Sequence, residues 1–173
     1  MTQNVDLGGN TLYVNDIVVG DSTPGSLTGT SVYNYVSGAD IIDATASTLA
    51  LTASQSGSVV LLDKSGGVGV TLPAPVVGTT YRFIVKTVST TGYTITTSAT
   101  SVFYGGNILF NKAGAVTAYA PTAATDYVIT LNGTTTGGVG VGDELLLICI
   151  SSTEWMVSGQ VQGSGTLATP FSA

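Results

Sequence analysis

The sequence predicts an all-β protein: an antiparallel β-sandwich or jelly-roll-like domain behind an extended N-terminal arm. Strand-like runs recur at intervals of about eight to twelve residues, the spacing of sandwiches, jelly rolls and small barrels. No amphipathic helical pattern of about ten residues or more, the usual length of a globular helix, interrupts them. Charged residues make up only 8% of the chain and histidine is absent, against the roughly 25% charged residues usual in soluble domains. Thr, Gly and Ser interleaved with Val, Ile and Leu fill that space, which suits short strands and tight turns. Strand spacing alone leaves sandwich, jelly roll and small barrel open.

Residues 1–45 read as an arm or edge-strand segment. Gly8-Gly9-Asn10, Asp21-Ser-Thr-Pro-Gly25 and Ser37-Gly-Ala-Asp40 punctuate it, leaving only short β-like runs such as Leu12-Tyr-Val14 and Ile17-Val-Val19. Tyr33 and Tyr35 alternate with other residues as in an edge strand. Residues 46–162 read as the domain and 163–173, without charge or period, as a tail. Within the domain, Thr52-Ala-Ser-Gln55 has capping-box spacing and predicts one helical turn ending at Gly57.

Ser58–Asp63 and Val68–Leu72 follow as strands, the second stopped by Pro73-Ala-Pro75. Thr80–Thr87 is the clearest strand, with Tyr81, Phe83 and Val85 on one face and Arg82, Ile84 and Lys86 on the other. Tyr93–Thr97 is expected as its antiparallel partner. Asn107–Phe110, Ala115–Tyr119 and Asp126–Leu131 come next, with a long loop after Asn132-Gly133. Asp143–Ile150 and Glu154–Ser158 close as a hairpin around Ser151-Ser-Thr153. Phe83, Val85, Ile129, Leu147 and Trp155 are the expected core.

The residues for chemistry are scarce, and no catalytic, cofactor or metal site is expected. Without histidine there is no base for the usual serine triad. One cysteine, Cys149, inside Leu145–Ile150, reads as a buried hydrophobe and leaves zinc short of ligands. Gly137–Gly142 leads into a strand rather than a helix, so it is no phosphate cradle. Asp143-Glu144 and Asp40–Asp43 are the close acidic pairs that a glycosidase would need, and solvated strand ends explain them more simply. No acidic run supplies a calcium loop. Trp155 reads as core rather than as a platform for sugars.

Net charge is −6, with Lys64, Arg82, Lys86 and Lys112 as the cations, so no basic stripe serves nucleic acid and no anionic membrane attracts the chain. The start, Met-Thr-Gln-Asn-Val-Asp, lacks the features of a secretory signal. The expectation is a chain made in the cytoplasm that stays soluble. High apolarity with few charges points to surface buried in an assembly.

Leu51–Lys64, Val70–Lys86, Cys149–Gly159 and Gly163–Phe171 resemble small virion proteins of tailed bacteriophages, in particular the head decoration (cement) group. The resemblance implies an all-β homotrimer on the capsid exterior that bridges major capsid subunits. With it the arm becomes the expected lattice contact. The alternative is a receptor-binding or carbohydrate-binding β-module of a tail or head fibre.

Overall fold

The computed structural model describes residues 40–98, 101–122 and 125–173. The expected arm therefore lies outside the described residues except for Asp40–Thr45. The described chain is nearly all β. Its strands are β1 Ile41–Ala44, β2 Thr48–Ala50, β3 Val59–Leu62, β4 Gly69–Thr71, β5 Thr80–Val85, β6 Tyr93–Thr96, β7 Val102–Lys112, β8 Ala115–Tyr119, β9 Val128–Leu131, β10 Glu144–Cys149, β11 Glu154–Gln162 and β12 Phe171–Ser172. A single 3-10 turn, Ala53–Gln55, stands where the capping box predicts it, and the Thr52 N–H donates to Gln55 Oε1 at 2.8 Å. Among the described residues no helix is long and apolar enough to cross a membrane.

The strands form two sheets, ordered β1-β3-β5-β10-β11-β7-β8 and β12-β9-β6-β4-β2. Both are mixed, which corrects the antiparallel expectation. From β1 to β6 the chain alternates between sheets strand by strand. Two reversals separate in-sheet neighbours, so β1, β3 and β5 run parallel, as do β2, β4 and β6. This alternation also overturns the expected pairing of β5 with β6. Tyr93–Thr96 lies in the five-stranded sheet between β4 and β9, while β5 pairs with β3 and β10.

The closing hairpin of β10 and β11 forms as expected, Leu147 opposite Val157. β11 then runs parallel to β7 with a bulge between Trp155 and Val157. Gly106, at φ +78°, meets the bulge so closely that a Cβ there would overlap the Val157 carbonyl oxygen.

The period-two faces of both sheets contribute to one core. Phe83, Val85, Ile129, Leu147 and Trp155 are all buried in it, with Tyr81, Tyr93, Phe103, Ile108 and Phe110. Phe103 of the larger sheet meets Phe171 of the smaller, ring centroids 6.3 Å apart. Burying such rings, at roughly 25 cal/mol per Å² of apolar surface, dominates the folding free energy.

Ile41–Ala44, within the segment read as an arm or edge strand, is the edge strand of the larger sheet and pairs with β3. The tail returns to the domain, since Phe171 is buried and pairs with Ile129.

Candidate binding surface

The two acidic pairs do not assemble into a reactive site. Neighbouring strand residues point to opposite faces, and Asp143 and Glu144 are separated in this way. The Asp143 side chain, 4% exposed, turns inward and accepts the N–H groups of Gly138 and Gly140 at 3.1 and 3.3 Å. It thereby holds the Gly137–Gly142 loop, and burial pushes its carboxyl above the usual range. Glu144 lies on the outer face, bound through both oxygens to Arg82 at 2.8 and 2.7 Å. That hydrogen-bonded ion pair holds the Glu144 carboxyl low. Asp43 is engaged by Lys86 at 2.9 Å, and Lys86 also binds Asp63 at 2.7 Å.

Cys149 is buried, and burial raises its thiol above the ordinary value, the opposite of what a nucleophile needs. Trp155 is fully buried against Tyr81, ring centroids 6.0 Å apart, and its Nε1 finds no acceptor among the described residues. It is therefore no surface platform for a sugar ring. No group of three or more potential metal ligands occurs among the described residues.

What the fold does build is a polar axis along its strands. Lys64, Lys86 and Lys112 sit at or just beyond the C-terminal ends of β3, β5 and β7, and the pairing registers bring those ends to one side of the larger sheet. At the opposite side three loops come together, Thr52–Ser58, Pro73–Thr79 and Ile150–Thr153; none carries a charge within those bounds, and Asp40 and Glu154 flank them. Backbone bonds tie them: Gly57 N–H to Thr80 O at 2.8 Å and Gly78 N–H to Cys149 O at 2.9 Å.

On this rim Val76 is 54%, Val77 67% and Ile150 41% exposed. The Pro-Ala-Pro sequence explains the local shape. Prolines cannot extend the β4 ladder, so the chain leaves the sheet and its next apolar residues, Val76 and Val77, face water. Asp40, where the described chain begins, lies at the same end, its carbonyl accepting the Val59 N–H at 2.8 Å.

Sequence reasoning missed this surface, because the three loops are far apart in the chain and each alone reads as an ordinary turn. The one available signal was the absence of charge from all three. No protein-family model matches the chain, and no curated protein does.

Proposed function

We propose that this protein is a structural component of a phage particle that binds the outer surface of the capsid as a homotrimer and bridges major capsid subunits. In this reading it is no enzyme, and the two-sheet domain is a β-sandwich carrying residues 1–39 as its arm. The observation that carries the reading is an apolar patch on the rim. Val76, Val77 and Ile150 are exposed together at the end where Asp40 begins the described residues, while Lys64, Lys86 and Lys112 are held at the other.

Solvent-exposed apolar groups grouped at one end of a domain gain free energy when a partner covers them. The arm, with Asp6, Asp16 and Asp21 as its charges and no cation, adds main-chain pairing at a neighbour's sheet edge. A binder of the assembled shell that ignores dissociated subunits stabilises the shell by mass action. Three linked copies strengthen weak contacts through effective concentration.

The test is co-sedimentation with undecorated capsids. Removal of residues 1–39, or Val76→Asp with Val77→Asp, takes away no buried residue of the described core and should abolish decoration. Wild-type binding should change little between low and high salt. Undiminished binding by both variants would refute the reading.

A further inference from the structure

The outer face of the larger sheet carries a groove of about 530 Å³, and a hollow of about 230 Å³ adjoins it at Gly142 and Gln160. Its cause is local. Ser158 of β11 sits in register between Leu146 of β10 and Asn107 of β7, so a short side chain lies among longer ones and leaves a trough. Leu109 and Leu146 supply an aliphatic floor. Four side-chain amides line the trough and its extension: Asn107 and Asn111 on β7, Gln160 and Gln162 on β11.

These amides differ from the other amides of the domain. Asn132 spends its side chain on its own loop, accepting from Thr134 and Thr136 N–H and donating to Thr135. The four groove amides form no side-chain hydrogen bond within the described residues. The groove also presents no free charge. Glu144 is neutralised by Arg82, and the Asp143 carboxylate is turned into the glycine loop.

A ligand for this surface must be neutral and must both donate and accept hydrogen bonds repeatedly, as amides do. It must also present apolar C–H faces to Leu109 and Leu146. Sugars have both properties. An anionic polymer would find no unpaired cation here, and an extended peptide needs a sheet edge rather than a sheet face.

We infer that the groove binds a neutral oligosaccharide laid along β7 and β11. Asn107 to Asn111 spans about 13 Å at the strand rise of roughly 3.3 Å per residue, the reach of a short oligosaccharide. Gly142, which lines both the groove and the hollow, lies at the end of the sheet opposite Val76 and Val77. If the rim meets the capsid, as proposed above, the groove lies on the flank of the domain, but binding by the free protein does not depend on that reading.

The experiment titrates the purified full chain with maltohexaose, cellohexaose, mannohexaose and chitohexaose, read by saturation-transfer NMR and calorimetry. At least one should bind. Asn107→Ala with Gln160→Ala should weaken that binding about tenfold or more, as loss of hydrogen bonds worth about 1.4 kcal/mol together would do. Ser158→Phe, which fills the trough from the outer face, should abolish it while preserving the far-ultraviolet dichroism spectrum and the capacity to decorate capsids. Failure of all four sugars at millimolar concentration would overturn the inference. So would binding undiminished in a folded Ser158→Phe variant, or preference for an anionic glycan. Loss of capsid binding alone would count against the structural reading and leave the groove standing.

Discussion

Tyr93 donates its hydroxyl to the Thr87 carbonyl across 2.6 Å and accepts the Lys64 N–H at 3.2 Å. A fully buried side chain of the smaller sheet thus holds the chain just beyond β3 and β5 of the larger one. Tyr93→Phe leaves both backbone groups without this partner and should lower unfolding free energy by about 1–3 kcal/mol in urea titrations. Burial also raises the Tyr93 pKa above 10. The folded state then keeps its proton longer than the unfolded one, so this stability is present below pH 10 and lost as pH rises through the folded value. The Phe variant should lack that alkaline loss.

Asp143 gives a pH dependence of definite sign. Its folded pKa is raised above 3.8 by burial. The native state therefore binds more protons than the unfolded state between the two values, and this group's contribution falls as pH rises. Asp143→Ala removes the acceptor for Gly138 and Gly140 and should cost about 1–3 kcal/mol per unsatisfied donor at pH 7. The penalty should grow as pH is lowered toward 3.8, measured by urea unfolding of both proteins at several pH values. A penalty that shrinks on acidification would refute the assignment.

The β7–β8 hairpin turns on Ala113 and Gly114, at φ +50° and +84°. Two positive φ values define the turn that favours Asn-Gly, and alanine is strained in it. Ala113→Asn should stabilise the protein by about 1 kcal/mol, read as a higher thermal midpoint. An unchanged or lower midpoint would contradict this.

Asn132-Gly133 has the sequence most prone to deamidation, in which the glycine nitrogen attacks the side-chain carbonyl carbon. Here the Gly133 N–H donates to Gly137 O at 2.9 Å, and Asn132 Oδ1 is held by the Thr134 and Thr136 N–H groups at 2.9 and 3.0 Å. Deamidation should be slow in the native protein and accelerate in urea, followed by peptide mapping. Equal rates in both conditions would show that the loop gives no protection.

Local chemistry was legible in the sequence. The alternation of Tyr81, Phe83 and Val85 told which face of β5 is buried, the Thr52–Gln55 spacing told where a helical turn stands, and Ser151-Ser-Thr153 marked the turn joining β10 to β11. The scarcity of charge gave no sign of where Val76, Val77 and Ile150 would be exposed together. The tertiary structure alone decided which strands are neighbours, sending Tyr93 to the other sheet, drawing Ile41–Ala44 and Phe171 into the domain, and turning Asp143 and Glu144 to opposite sides. It also decided where the rim and the amide groove lie. The physical reason is that a period of two specifies the face a side chain takes. Partner choice and register depend on how well whole faces pack against segments distant in the chain.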